Sequence, residues 1–263
     1  MPPSLSSRRP PDTGAAASPD SRPQTAARDA LRGISWLGQV PADTIEALAA
    51  HAVLHQVPAG SLLFDQAETP VFAQFLLAGS IELLGVRGRA ETLIELLTPF
   101  DMVIPAAVIS ARPYLMRARV YEAAHLLLIP AQTFRDAVAR DHALCAVVLG
   151  CLTAQFRRQV RQEKNLKLRS AEERVGCFIA SLLGDAEAAV TIRLPMEKYL
   201  IASQLGMTRE TFSRALSAMA RFGIVVRGES VHVDDATAAR AHFPFDPLID
   251  GFEPITSLHD RRA

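Results

Sequence analysis

Four polar side chains at close spacing, Arg209, Glu210, Ser213 and Arg214, have the chemistry of recognition rather than of bond making. Arg presents a rigid fork of donors that fits the two acceptors of a guanine edge, Glu accepts from the cytosine amino group, and Ser can serve either role. They lie within MEKYLIASQLGMTRETFSRALSAMARFGIV, residues 196–225. Leu200, Ile201 and Leu205 form one apolar face, and Gly206 closes that helix. Thr208 is placed to cap the next helix, with Glu210 and Thr211 in its first turn. Phe212, Leu216, Met219 and Phe222 recur at helical spacing and face inward, which turns the four polar residues outward. Two helices joined by a short Gly-containing turn predict a helix-turn-helix. The N-terminal part of its second helix is the part that reaches base edges in the major groove. The segment GIVVRGESVHV, turning at Arg227-Gly228, predicts a wing. Arg193, Lys198, Arg221 and Arg227 are the expected phosphate contacts that position the module, alongside the reading residues Thr208, Arg209, Glu210, Ser213 and Arg214. The competing reading is a helical hairpin inside an ordinary core with solvated charges.

The rest of the chain must position this module. A length of 263 residues with 49% hydrophobic content provides core for about two domains. Residues 1–30, rich in Pro, Ser, Ala and Arg, show no apolar periodicity and read as a disordered tail. Leu31, Ile34, Leu37, Ile45 and Leu48 then predict short amphipathic helices. From His55 to Ile129 the pattern changes to short apolar segments (SLLF, VFAQFLL, SIELLGV, TLIELL, MVIPAAVI, RARVY and HLLLI) broken by Gly, Pro and Asp. That spacing predicts an antiparallel roll. After a short helix over 131–138, Leu144, Val148, Leu149, Leu152, Phe156, Val160 and Leu166 keep helical spacing from about Asp141 to Lys167. The polar second half of this helix argues for packing against a copy of itself, with Val148, Leu149, Leu152 and Phe156 at the interface. The alternative is a long helix lying on its own domain. The fold class is therefore α+β: a β-roll over 31–138, a dimerisation helix over 139–169, a winged helix-turn-helix over 170–235, and an acidic tail over 236–263.

Strand roll, long helix and winged helix in this order resemble the cyclic-AMP receptor/FNR (CRP/FNR) family of bacterial transcription regulators, over roughly residues 31–235. Thr208-Arg209-Glu210-Thr211-Phe212-Ser213-Arg214 is similar to both branches of that family. Arg209, Glu210 and Arg214 match the base-reading positions of the cyclic-AMP receptor, and Glu210, Ser213 and Arg214 match the FNR set. The resemblance implies a homodimer on double-stranded DNA, half-sites related to TTGAT or TGTGA, and RNA polymerase as a further partner. It also implies a cyclic nucleotide-binding-type roll. In the family's nucleotide binders a Gly-Glu pair and a following Arg-Ser or Arg-Thr pair hold the cyclic nucleotide. Here Ile104-Pro105 and Tyr114-Leu115 stand at those positions, and Gln159 and Val160 replace the Thr-Ser pair that touches the purine. A β-branched residue cannot allow the close backbone approach of Gly, Pro lacks an N–H, and Leu cannot pair with a phosphate. The expectation is a cavity that does not take cyclic nucleotide, lined by Phe100, Val103, Ile104, Val108, Leu115 and Met116 with Gln159 and Val160. Such a lining suits an apolar ligand, a haem, or no ligand.

An FNR-type iron–sulfur cluster needs four Cys ligands. The chain has three Cys, at 145, 151 and 177, so no cluster is expected. They form no disulfide scaffold and fit a reducing cytoplasm. His51, His55 and His125 keep a haem-based gas sensor open, and Cys145 and Cys151 keep a redox-responsive regulator open. An enzyme built on a cupin-like roll would need clustered His and Glu ligands, for which only His125 is well placed, so no catalytic or metal-binding residue is expected. A sensor acting through protein contacts without DNA remains a further alternative. No apolar run approaches a membrane span, and no signal peptide is legible. The balance of 28 basic and 28 acidic side chains hides an asymmetry. Residues 155–228 carry 13 basic and 7 acidic groups, net +6, while 31–140 carry 8 and 10, net −2. The basic excess coincides with the predicted DNA-facing module.

Overall fold

The computed structural model describes residues 21–251. The N-terminal unit begins with α1 (Ser21–Gly33), a 3-10 turn (Ser35–Leu37) and α2 (Ala42–Ala49). The roll follows as β1 (Val53–Val57), β2 (Leu62–Phe64), β3 (Phe72–Arg87) and β4 (Ala90–Leu97), then α3 (Pro105–Ser110) and β5 (Arg117–Pro130). Its sheet is antiparallel, with strand order β1-β5-β3-β4 and β2 added on β5. The long β3 and β5 pair from Phe72↔Pro130 to Leu84↔Arg117 and form the spine of the unit.

Two pairs of segments that the sequence divides are each one strand. VFAQFLL and SIELLGV join as β3, and RARVY and HLLLI join as β5. Gly79, the expected break in β3, is instead a bend within the ladder. Its φ is +83, and an added Cβ would lie 2.3 Å from the Ala123 carbonyl, so only Gly fits there. MVIPAAVI is not a strand. Pro105 occupies the first turn of α3, where its missing N–H is harmless, and Ala106-Ala107 continue the helix.

α4 (Ala131–Arg140) runs two residues past its predicted end, and the chain breaks at Asp141 before α5 (His142–Leu168). The Asp141 side chain accepts from Leu144 N–H at 2.9 Å and from the Thr44 hydroxyl, so it caps α5 and ties it to α2. The winged helix comprises α6 (Ala171–Ser181), β6 (Val190–Arg193), α7 (Lys198–Gln204), α8 (Arg209–Ala218), a 3-10 turn (Met219–Phe222), β7 (Ile224–Arg227), β8 (Ser230–Val233) and α9 (Ala236–His242). Its sheet has the order β6-β8-β7.

The core is divided into three main clusters. One joins α1, α2, α4 and the start of α5 to an outer face of the roll, a second fills the roll, and a third fills the winged helix. A small fourth cluster, Leu84 and Leu93 with Leu200, sits where the roll meets α7.

Parts of both expected tails belong to the folded units. Residues 21–30 belong to α1, and Ala27, Leu31 and Ile34 are fully buried against the rest of the first cluster. Ala27 lets the helix approach closely but carries little hydrophobic signal, which is why no periodicity was legible. Residues 1–20 lie outside the described residues. At the other end, Asp235 caps α9, and Ala236, Ala239 and Phe243 enter the winged-helix core, so 236–251 is docked chain. Residues 252–263 lie outside the described residues.

Candidate nucleic-acid interface and effector cavity

The second helix of the motif is built as its residue types dictate. Gly206, φ +62, ends the turn after α7. Thr208 caps α8, its Oγ1 accepting from Thr211 N–H at 3.2 Å. Phe212, Ala215 and Leu216 are buried, and the opposite face is open. Arg209, Glu210, Ser213 and Arg214 line one open concave surface at the N-terminus of α8. Glu210 is held below the usual carboxylate range by its own backbone N–H and by Thr208, with the Arg209 and Arg214 charges adding to the effect. It remains an acceptor at neutral pH. The Arg209 guanidinium lies 5.9 Å from the Tyr199 ring centroid, so an aromatic face on α7 supports it from behind. Tyr199 was not identified from sequence, because its relation to Arg209 depends on the angle between α7 and α8.

The expected phosphate contacts are more scattered. Arg227 stands exposed at the wing tip, and Lys198 is exposed at the start of α7. Arg193 is exposed but donates to Glu229 across the wing, from Nε at 2.9 Å. Arg221 lies beyond the far end of α8, pairs with Glu172 of α6 and stacks over Phe222. The fold does not bring Arg221 to the reading face.

A cavity of about 600 Å³ lies between the roll and α5. Its walls come from Ile94 and Glu95 of β4, from α3, from Arg112, Pro113, Leu115 and Met116, and from Leu152, Gln155, Phe156 and Gln159 of α5. Four expected residues line it: Ile104, Leu115, Met116 and Gln159. Four do not. Val103 is buried in the roll and Val108 under α4, Phe100 faces a separate cleft, and Val160 lies on the outer side of α5. The β-α alternation of the sequence cannot separate lining residues from core when α3 replaces a strand. Ile104 adopts φ +40, a left-handed conformation rare for a β-branched residue, and its side chain lines the cavity. Tyr114 is buried, stacked on Phe64 at 3.6 Å, and burial pushes its hydroxyl up to about 12. It is therefore not a ligand-facing group. Arg117 and Arg119 form an ion network with Asp65, Glu82 and Glu91 outside the cavity. Arg112 is the cationic side chain among the lining residues.

Glu95 is the most informative residue that sequence reasoning missed. Burial raises its carboxyl above the ordinary value, although Arg158 beside it pulls the other way. Arg158 donates to it at 2.9 Å and Gln159 at 3.4 Å, both from α5. Two residues earlier, Leu93 N–H donates to Ser203 Oγ of α7 at 2.9 Å, and Leu93 packs on Leu200. One short stretch of β4 thus touches the cavity, the long helix and the first helix of the motif.

His51, His55 and His125 are exposed and do not line the cavity. Cys151 is buried and its thiol is pushed up to about 12, Cys177 is half-buried with its thiol also raised, and Cys145 is exposed. High thiol values disfavour the reactive thiolate at Cys151 and Cys177. Among the described residues no group of three or more His, Cys, Asp and Glu is placed to hold a metal, and no single helix is long and apolar enough to cross a membrane.

On α5, Val148 is buried within its own domain, which corrects its placement at an interface. Along one side of α5, Leu149 at 47%, Phe156 at 68% and Val160 at 43% are exposed, with Leu152 half-buried between them. The roll claims the side of α5 that carries Val148, and the next side round is left to water.

Two family models match the chain: a cyclic nucleotide-binding domain over residues 54–141 and a Crp-like helix-turn-helix domain over residues 173–238. A structure of the c-di-GMP responsive global regulator CLP of Xanthomonas campestris is 18% identical, covering 74% of this chain and 99% of that one at a TM-score of 0.60. FixK2 of Bradyrhizobium japonicum is 17% identical, covering 72% and 96% at a TM-score of 0.58. A mutant of CooA from Carboxydothermus hydrogenoformans is 14% identical, covering 74% and 88% at a TM-score of 0.59. At these identities the likeness is one of fold. No curated protein sequence matches.

Proposed function

The chain belongs to the cyclic-AMP receptor/FNR family of transcription regulators, and on that premise we propose that it binds a pseudo-palindromic DNA site as a homodimer. The observation that carries this reading is the outward, open face Arg209, Glu210, Ser213 and Arg214 at the capped N-terminus of α8. Arg209, Glu210, Ser213 and Arg214 would specify sequence, while Lys198 and Arg227 would position the module on phosphates. Arg193 would join them by exchanging Glu229 for phosphate. In a two-fold dimer the two recognition helices would lie about 34 Å apart, one helical turn of DNA. RNA polymerase is the further partner this reading implies, and the cytoplasm is where both reside. Selection from randomised duplexes followed by sequencing tests it. Enrichment of a pseudo-palindrome with half-sites related to TTGAT or TGTGA is expected, and a pool without an enriched motif overturns the assignment.

The sensor reading is an apolar effector rather than a cyclic nucleotide. What supports it is that Ile104 and Pro105 stand where the family resemblance puts a close-approach Gly and a ribose-binding Glu, and that Glu95 in the lining is already engaged by Arg158. An effector pressing on Ile94 and Glu95 would act on Leu93 and so on α7, biasing one of two arrangements of the winged helix. Titration calorimetry with cyclic AMP should give no binding heat, and native mass spectrometry of the protein purified from its own cells should show a bound apolar molecule. Stoichiometric cyclic AMP binding would overturn this part.

A further inference from the structure

The helix-turn-helix family model ends at residue 238, and the chain that follows forms a strap. Phe243 covers Gly176 so closely that an added Cβ there would lie 2.3 Å from its ring. Beyond it the strap returns to the C-terminal half of α5. Arg169, the residue that follows α5, holds Asp250 through two bonds of 2.6 and 2.7 Å, with both side chains largely buried. Arg161 donates to the Pro247 carbonyl at 2.6 Å and Lys164 to the Leu248 carbonyl at 3.2 Å. Asp246 closes the turn by accepting from Leu248 N–H at 2.8 Å.

This clamp holds Leu248 in an unusual position. Its backbone is fixed against α5, yet 65% of the residue faces water. Beside it stand Phe156 and Val160, and the three form the apolar floor of a notch of about 220 Å³, rimmed by Arg157, Arg161 and Lys164. The strap therefore adds an apolar side chain to the exposed seam of α5.

We infer that the strap is part of the interface between two copies of this chain, with Leu248 extending the α5 seam and the notch receiving the α5 of the second copy. This inference rests on the proposed homodimer. A stable interface draws on roughly 800 Å² and about 20–30 residues from each partner. Leu149, Leu152, Phe156 and Val160 on a single helix fall short of that, and the surface contiguous with them is the strap. A two-fold interface also needs one patch that is complementary to itself, and seam and strap form such a patch along one side of one helix. The hydrogen bonds from Arg161, Lys164 and Arg169 organise the strap beforehand, which lowers the entropy lost on association. Because Arg169 stands at the junction of α5 and α6, the strap also makes the winged-helix position depend on dimer formation.

Sedimentation velocity over a dilution series of the full chain tests the inference, with circular dichroism to verify the fold of each variant. The unaltered protein should be a dimer. Leu248→Asp should raise its dimer Kd at least about tenfold, and Asp250→Ala, which frees the strap without touching the seam, should raise it in the same direction. Val71→Asp, the same chemical change at an exposed apolar site at the start of β3, should leave it unchanged. A photo-crosslinking residue at 248, in a mixture of ordinary and ¹⁵N-labelled chains, should give mixed-isotope products on α5 peptides. A dimer whose Kd is unmoved by both strap variants, or crosslinks confined to single chains, overturns the role of the strap alone. A monomeric unaltered protein overturns the homodimer reading, and this inference with it.

Discussion

At the scale of single residues, function depends on which groups stay charged and where they point. Arg214 sits on the open face of α8, with a long 3.5 Å contact to Thr211, and is placed to reach a base edge. Arg214→Ala should weaken binding to the selected site by about 1–3 kcal/mol and change binding to random duplex little, as read by competition gel shift. Equal losses on both would remove its base-reading role. Glu95 carries a different expectation. Burial raises its folded-state pKa above the ordinary 4.5, so the folded state holds a proton more readily than the unfolded chain. Its contribution is therefore most favourable below 4.5 and is lost as pH rises through the raised value. Urea melts of Glu95→Gln should lack this acid-side gain, and a variant with the same pH dependence as the parent would refute the assignment. The outward placement of Arg209, Glu210, Ser213 and Arg214 was legible in sequence, because an apolar stripe at helical spacing turns the opposite face outward. Glu95 was not, because its burial depends on the crossing of α5 over β4.

At the scale of elements, the chain uses caps to set where helices begin. Asp141 separates α4 from α5 and serves both the Leu144 N–H and the Thr44 hydroxyl. Although burial pulls the other way, these hydrogen bonds hold its carboxyl below its ordinary 3.8. Its contribution is present above 3.8 and is lost as pH falls through the lowered value, the opposite sign to Glu95. Asp141→Ala should lower stability by about 1 kcal/mol at neutral pH, visible as a lower Tm. An unchanged melt would show that Thr44 and the cap are not coupled to folding. The 27-residue length of α5 was readable from unbroken periodicity, but the identity of its faces was not. Val148 and Leu149 are equally apolar neighbours, and only the position of the roll decides that the first is buried and the second exposed. The same holds in and just before α3, where Val103, Ile104 and Val108 read alike as β-branched residues.

At the scale of the whole molecule, β4 and α5 relate three units. The cavity, the seam and the first helix of the motif all meet residues of β4 or α5, so an event at one site has a short physical path to the others. Whether that path has two stable arrangements is what would make it a switch. Phe156 belongs to both cavity and seam. Phe156→Asp should convert a dimer to monomer in sedimentation and reduce affinity for a two-half-site duplex far more than for a single half-site. A dimer that survives this substitution would place the interface elsewhere. The strap shows the limit of compositional reading: 236–251 is polar in parts and contains Pro, yet Phe243 meets Gly176 and Asp250 meets Arg169, both distant in the chain.

The sequence by itself determined the order of the units, the capped second helix of the motif and the residues on its outward face. These follow from local rules: helical and strand periods, caps, Gly turns and the chemistry of individual side chains. The tertiary structure alone decided which residues of α3 and α5 line the cavity, that Arg221 is turned to Glu172, that α1 and the strap are docked, and that β4 joins cavity to motif. Each of those depends on how separate elements cross. Burial is shared between surfaces distant in the chain, and no local pattern specifies which of two apolar neighbours will meet a partner.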